Sequence, residues 1–531
     1  MTDAEAPRVE YVLSIDLGSS GAKVGLVDRS GSLVASAAER YGMLLLPEGG
    51  AEQDARIWWQ AIVRCTRQVM ASAQAKPEAV VAIGCTSQWS ATVAVDRAGE
   101  PLMNAVSWMD TRGARYNREL VKGFPSVQGY NLYSLYRWIK AAGLAPTQSG
   151  VDSLAHMLFL KNERPDIYRQ AYKLLEPMDY VNLRLTGRAA ATRSTAFPLL
   201  LVDVNSKDPG RYHPWLLKQT GLDEERLPEL VQGNAQLGTL QPQAAAELGL
   251  STRAVVVAGV PDNHSSAFGA GAVHDYEAVA VLGTSGFFGC HLPFRGLDLD
   301  SFITTMPSPL PGRHLIFGDL GNNGKVLDSF LDKQLYGDDE LLAASRPLDA
   351  FERLDRLVEK IPAGSEGVLF LPWFNGTLCP REDSAMRGGF LNVSHRTTRA
   401  HLSRAVLEGL CFNWRWLLGA AEKFAKTRFD RLRLAGGGAK SAVWAQIMAD
   451  VTGRPIHQQA DPTNGNVMGM AYLVLLHLGH LTLAQVPALA KVARVFEPRE
   501  ENARVYEHHF AQFMASERTL RPVFHALNRA G

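Results

Sequence analysis

Residues Tyr11–Asp28 read YVLSIDLGSSGAKVGLVD, and the fold is decided on how this stretch is taken. Apolar residues fill both flanks. The middle holds a carboxylate (Asp16), two hydroxyls (Ser19 and Ser20), two glycines (Gly18 and Gly21) and an ammonium (Lys23). The pattern predicts strand, turn, strand. Asn-Gly or Asp-Gly would be enough to reverse a chain, whereas this turn reads as longer and carries both signs of charge. A turn dense in backbone N–H groups, with hydroxyls and one ammonium, suits phosphate oxygens. Asp16 would repel a phosphate directly, so its part would be to hold Mg2+ nearby, directly or through water. Taken alone, the segment is accounted for more simply by a hairpin whose Asp and Ser satisfy local backbone groups. The order GxxxxGK[ST] of a Walker A loop is absent.

Working outward, RSGSLVASAAERY continues as a third strand behind a Ser30-Gly31 turn, which makes an antiparallel meander. Asp54 caps a helix whose Ile57, Ala61, Cys65 and Val69 form one apolar stripe. AVVAIGC is a buried strand, and ATVAVDRAGEPLMNAVSW reads as a hairpin turned at Arg97–Gly99. Helical patterns follow in LAHMLFLKNERPDIYRQA and YVNLRLTG. The apolar strand Ala254–Ala258 then looks like a new start. AVAVLGTSGFFGC repeats strand, polar turn, strand, with Gly283-Thr284-Ser285-Gly286 echoing Gly18-Ser19-Ser20-Gly21. Later, TRAHLSRAVLEGLCFNWRWLL carries Leu402, Val406, Leu410 and Leu417 on one helical face, and RLRLAGGGAKSAVWAQIMADVTG is strand, triple glycine, helix. The meander-plus-helices pattern occurs twice, which is domain duplication and not a short-period repeat. Two α/β domains of similar plan are expected, over residues 1–258 and 259–531.

A chain of 531 residues is too long for one ordinary core. Hydrophobic residues at 46% and charged residues at 21% are globular values, which argues against a disordered chain. Lys plus Arg number 55 against 54 Asp plus Glu, a formal net charge of +1. Neither a nucleic-acid nor a membrane partner is expected from that balance. The opening MTDAEAPRVE is acidic and lacks the basic and apolar regions of a secretion signal, and no apolar run nears the ~18 residues of a membrane span. Five scattered cysteines without a CxxC pair read as reduced, structural thiols. A cytoplasmic location is expected.

The remaining candidates each have a structural and a chemical reading. Gly436-Gly437-Gly438, between a strand and a helix, either permits close backbone approach to an anion or makes a tight packing turn. Asp262, after an apolar strand and Pro261, could accept a proton from a substrate hydroxyl or serve as a helix N-cap. His264 could be a general base too, although a packed histidine is the simpler reading. Gln88, Trp89, Trp108, Asp110 and Arg112, in CTSQWSA and SWMDTR, either pair indole faces with amides and charges, as a polyol site requires, or are core tryptophan plus a surface ion pair. Trp58 and Trp59, on the amphipathic helix, read as core.

The ordered set DLGSSGAK, WMDTR, PDNHSSAFGAG, LGTSG, the RGGF stretch, AVLEGL and AGGGAKSAVWAQIMADVTGRP resembles the FGGY carbohydrate kinases, nearest to their xylulokinase-type members. The likeness runs from Tyr11 to about Asn528. It implies two ribonuclease-H-like domains of the actin and hexokinase kind, with a cleft between them for ATP and sugar. By position, Asp262 would be the catalytic base, and Asp16 the acidic residue that helps place Mg2+ and ATP. Ser19, Ser20 and Lys23 match the first phosphate loop, Gly283 and Thr284 the second. Gly437, Gly438 and Ser441 fall where the family approaches the nucleotide, and Gln88, Trp89, Trp108 and Asp110 fall at the sugar end. The implied activity is ATP-dependent phosphorylation of a ketopentose such as D-xylulose, or a related sugar or polyol, in a possible homodimer. The alternatives are a non-catalytic sugar- or nucleotide-binding regulatory member of the fold and an actin-like assembling ATPase. Some motifs depart from the family. Xylulokinases usually carry Gln-Met-His-Gly where this chain has Ser87-Gln88-Trp89-Ser90. A Lys…Trp signature appears as His156 and Phe159. Gly-Glu-Arg-x-Pro appears as Gly376–Pro380, and Gly-Ala-Leu-Gly-Ala as Gly465–Gly469.

Overall fold

The structure, a computed structural model, describes residues 10–127, 129–321, 323–337, 339–340 and 345–528. The chain forms two compact units. The first holds Met1–Gly271 with Met306–His314 and Asn466–Leu489; the second holds Ala272–Thr305, Leu315–Gly465 and Ala490–Gly531. Each is built on a mixed sheet.

In the first unit the strands of the main sheet are β1 (Tyr11–Gly18), β2 (Gly21–Asp28), β3 (Leu33–Arg40), β4 (Val80–Ser87), β5 (Gln236–Thr239) and β6 (Val255–Pro261), in the order β5-β6-β4-β1-β2-β3. β1, β2 and β3 pair antiparallel as the expected meander, while β1, β4 and β6 run parallel. A parallel return needs a crossover, and α1 (Ala55–Ser72) supplies it between β3 and β4. Asp54 caps α1 by accepting from the Arg56 N–H at 2.9 Å. Ala61, Cys65 and Val69 are buried as the stripe requires, together with Trp58, Trp59 and Ile62, but Ile57 is 43% exposed. Steps of four residues outrun the 3.6-residue turn, so the first member of the stripe rotates off the buried face.

The turn between β1 and β2 is shorter than its charge content suggested. Gly18 pairs with Gly21, leaving only Ser19 and Ser20 between the strands. Gly21 is fixed by space: a Cβ there would stand 2.6 Å from the Glu39 carbonyl oxygen on β3. The stretch read as one hairpin at 91–108 is looser. Val93–Val95 pairs with Lys173–Leu175 and Ala105–Val106 with Glu52–Gln53, and Thr92 and Val106 share an isolated bridge.

The second unit repeats the strand order. β7 (Ala278–Leu282) and β8 (Gly286–Leu292) form the antiparallel hairpin, with β9 (Leu297–Asp298), β10 (Ile303–Pro307) and β11 (His314–Asp319) beyond β8. On the other side β7 is followed by β12 (Leu432–Ala435), β13 (Ile456–Gln459) and β14 (Val492–Phe496). β7, β12 and β13 are parallel, matching β1, β4 and β6. The 27-residue helix α2 (Arg399–Ala425) lies in the connection to β12, and α3 (Ala442–Thr452) joins β12 to β13. Val406, Leu410 and Leu417 of α2 are buried in a core with Phe288, Trp373 and Trp414.

The first unit does not end at residue 258. Helix α4 (Asp262–Gly269), directly after β6, belongs to it, and so does nearly all of α5 (Gly465–His477). α5 lies where glycines have cleared space: Cβ atoms at Gly25 and Gly84 would meet Val467 and Met470. The Ser14 hydroxyl donates to the Val467 carbonyl at 2.6 Å. All five cysteines are free and buried. Among the described residues no helix is long and apolar enough to cross a membrane.

Candidate active site

Parallel strands present their carboxyl ends on one edge, where ligands of open α/β sheets are held. In the first unit that edge carries Asp16 on β1, Gln88 just beyond β4 and Asp262 just beyond β6. Asp16 pairs in register with Thr86, and Pro261 with Ser87. Two strand spacings, roughly 10 Å, separate the chain at Asp16 from that at Asp262. Pro261, not Asp262, takes the cap position of α4, and no side chain caps that helix; Asp262 is its first residue. The Ser265 hydroxyl donates to the Asp262 carbonyl at 2.9 Å and meets the Thr86 hydroxyl at the same distance, which anchors α4 to β4. His264 is fully buried with Nε2 2.9 Å from the Pro307 carbonyl, a packed histidine as expected.

Asp16 is 4% exposed, and burial raises its pKa against the opposing effects of Lys23 and Asn466. Both contacts are long: Lys23 Nζ at 3.9 Å and Asn466 Nδ2 at 3.5 Å. A buried carboxylate so loosely satisfied is suited to a cation. Among the described residues no three His, Cys, Asp or Glu side chains gather as a metal cage. One carboxylate with substrate phosphates is how Mg2+ is commonly held, so the residues present fit that ion. Lys23 sits opposite Asp16 on β2, and the Trp108 indole N–H donates to Ser19 Oγ at 2.9 Å.

The other polyol-side candidates divide into contacts and frame. Trp89 stacks on Phe197, centroids 6.1 Å apart and planes 3° from parallel. Gln88 is 2% exposed. Asp110 is fully buried, and its carboxylate accepts from the Ala51 and Arg112 backbone N–H groups and from the Arg112 guanidinium, which also reaches Glu52 at 2.7 Å. Asp110 therefore fixes the 49–53 and 107–113 segments beside the tryptophans. Of the departures, Phe159 lies under the Arg112 guanidinium at 4.3 Å, and His156 is wholly buried close to Asp110, Asp152 and Arg112. Burial holds His156 below the usual histidine range.

The remaining candidates are in the second unit, at the ends of β7 and β12. There the Gly283 carbonyl accepts from the Gly324 N–H at 3.0 Å, and the Thr284 carbonyl from the N–H groups of Asn323 and Lys325. Gly437 is exposed with open space where a Cβ would be, whereas at Gly438 a Cβ would meet Trp444 and Leu282. Gly436 and Gly438 are thus packing glycines, since a Cβ on Gly436 would also meet the Leu282 backbone, while Gly437 leaves open space. Ser441 is the N-cap of α3, accepting from the Trp444 N–H and donating to Asp355 Oδ1 at 2.8 Å.

Three residues at the first site were not singled out from the sequence. Asn466, from α5, links Asp16 to Ser266, whose hydroxyl donates to Asn466 Oδ1 at 2.6 Å. Tyr41 and Gln53 bond the β1–β2 turn. Asn466 lies in the Gly465–Gly469 stretch already noted as departing from the family, whereas no local pattern marks Tyr41 or Gln53, which act through the turn's backbone carbonyls.

Two units on one strand order, each with a polar hairpin at the carboxyl ends of its parallel strands, define the two-domain α/β class of actin and hexokinase. The chain belongs within it to the FGGY family of carbohydrate kinases: the family's N-terminal domain matches residues 11–269 and its C-terminal domain residues 278–477. It is similar to a xylulose kinase of Staphylococcus epidermidis, 29% identical over 510 residues, 95% of this chain and 96% of the relative. It is also similar to an autoinducer-2 kinase of an Enterobacter species, 26% identical over 94% of this chain and 92% of the relative. A crystal structure of a xylulose kinase from Rhodospirillum rubrum superposes with a TM-score of 0.83 at 25% identity, covering 97% of this chain and all of that one. The protein is a sugar kinase.

Proposed function

We propose that this kinase transfers the γ-phosphoryl of ATP to a hydroxyl of a ketopentose, D-xylulose first among the candidates. The observation that carries the reading is the place of Asp262, first residue of α4 at the end of β6 and beside the Gln88 edge. Asp262 takes the proton of the attacking hydroxyl, whose oxygen bonds to phosphorus as ADP leaves. Gln88, Trp89 and Trp108 hold the acceptor, with apolar CH faces against indole and hydroxyls on the amide. Ser19, Ser20 and Lys23 take phosphate oxygens; within the second unit, the Gly283-Thr284 turn and the open face at Gly437 are suited to phosphate by the same backbone chemistry. Asp16 would hold Mg2+, which supplies charge neutralisation at the transferring phosphoryl.

An ADP-release assay over pentuloses, hexuloses, polyols, aldonates and autoinducer-2, with mass-spectrometric identification of the product, tests the reading. A phosphorylated ketopentose whose formation is lost in Asp262→Ala is the expected result. Turnover confined to another acceptor class overturns the substrate assignment, and no turnover in the parent protein overturns the whole proposal.

A further inference from the structure

The turn Gly18-Ser19-Ser20 is held through three successive carbonyls. The Tyr41 hydroxyl donates to the Gly18 carbonyl at 2.6 Å, Gln53 Nε2 to the Ser19 carbonyl at 2.7 Å, and the Tyr41 N–H to the Ser20 carbonyl at 3.2 Å. In a planar trans peptide the N–H points opposite the C=O. Tying the carbonyls back therefore turns the N–H groups of Ser19 and Ser20 to the other face, where they can meet an anion. The second unit obtains the same effect at Gly283-Thr284 with backbone donors alone. In the first unit two side chains, Tyr41 and Gln53, do part of it, and Gln53 is also bonded elsewhere.

Gln53, 3% exposed, gives both its N–H2 contacts to carbonyls, Ser19 at 2.7 Å and Gly42 at 3.2 Å. Carbonyls cannot donate, so the amide orientation of Gln53 is fixed by chemistry. Its Oε1 must then be the atom facing Gln88, and Gln88 Nε2 must be the donor, at 2.9 Å. That leaves Gln88 Oε1 as the open end of the relay: a buried acceptor with no partner among the described residues. An unmatched acceptor of this kind calls for a donor such as a substrate hydroxyl.

Resting on the reading of Gln88 and of the turn given above, we infer that Gln53 is a positioning residue that couples acceptor binding at Gln88 to the phosphate-facing turn at Ser19. A hydroxyl donating to Gln88 Oε1 polarises the Gln88 and Gln53 amides in series and strengthens the hold on the Ser19 carbonyl. Acceptor and nucleotide then favour each other's binding by the same factor.

Calorimetric titration of Mg2+·AMP-PNP with and without D-xylulose reads that factor, alongside steady-state phosphorylation. The parent is expected to bind nucleotide about fivefold or more tightly with the ketose present. Gln53→Met removes both ends of the relay at similar length. It is expected to bring the factor close to one and lower kcat about tenfold or more, while Tyr41 still holds the turn and ketose-free nucleotide affinity stays near the parent's. Gln53→Glu keeps an oxygen toward Gln88 but loses the donor to Ser19, and should uncouple likewise; it decides the matter if Gln53→Met does not fold. Full coupling in a folded variant, or none in an active parent, overturns this inference alone. A parent that phosphorylates no ketose removes the acceptor reading and this inference with it.

Discussion

Asp262 and Asp16 are both carboxylates at strand ends, yet their surroundings differ. Asp262 is half-buried at the first position of its helix. Asp262→Asn keeps its shape and removes the proton acceptor, so kcat should fall about 10²–10⁴-fold with Mg2+·AMP-PNP affinity unchanged by calorimetry; an unaltered kcat would exclude it as the base. Asp16 is kept from water, and burial is the largest influence on its pKa, which lies above the ordinary 3.8. Folding therefore favours its protonated form. The cost of burying the charge is absent below the unfolded-state pKa, grows as pH rises toward the folded one, and is complete above it. Asp16→Asn should accordingly raise the melting temperature of the nucleotide-free protein near neutral pH, by on the order of 2 °C. The gain should shrink toward zero near pH 4, and the same variant should lose phosphorylation. A gain of equal size at both pH values would show that the charge is not its source.

At the level of elements, α5 and the β1–β2 hairpin show how closely backbone must approach at this site. A Cβ on Gly469 would lie 1.8 Å from the Ser265 carbonyl oxygen and 2.7 Å from the Gly269 nitrogen, so α5 rests directly on α4. Gly469→Ala must push the helices apart, at a cost of about 3 kcal/mol. Because Asn466 rides on α5 and reaches both Asp16 and Ser266, activity should fall further than the melting temperature explains, whereas Gly453→Ala, with open space around it, should spare the geometry at Asp16. Both are read by thermal melts with parallel kcat measurements. The elements themselves were legible in the sequence: the meander, the Asp54 cap, the repeated strand–turn–strand and the helix after the triple glycine all follow from alternation, apolar stripes and capping. Proline at 261 and aspartate at 262 left the cap assignment open, since either residue can precede a first turn. What stayed hidden were side-chain donors to backbone carbonyls. Tyr41 and Gln53 act through the turn's peptide planes, which no periodicity reports, and Asn466 acts across 450 residues of sequence.

For the whole molecule, the chain order conceals that the first unit is discontinuous. A boundary at 258/259 follows naturally from the apolar strand and proline before Asp262, but the unit runs to Gly271 and takes Met306–His314 and Asn466–Leu489 as well. The returning segment is not peripheral. Val467, Met470, Tyr472, Leu473, Val474 and Leu475 are at most 2% exposed. At ~1.5–3 kcal/mol for each buried side chain, α5 contributes on the scale of an entire domain's net stability, roughly 5–15 kcal/mol. A fragment ending at Gly271 should therefore expose the apolar surface around Gly25 and Gly84, bind a hydrophobic dye and melt without a cooperative transition. Joining residues 464–490 to it through a flexible linker long enough to return should restore a cooperative melt and suppress the dye signal. The restored fragment also regains Asn466 beside Asp16, so Asp16→Asn made within it should stabilise it as in the full chain. If the shorter fragment melts as cooperatively as the joined one, α5 is dispensable to the first unit, and its glycine-cleared seat on β1, β2 and β4 has another purpose.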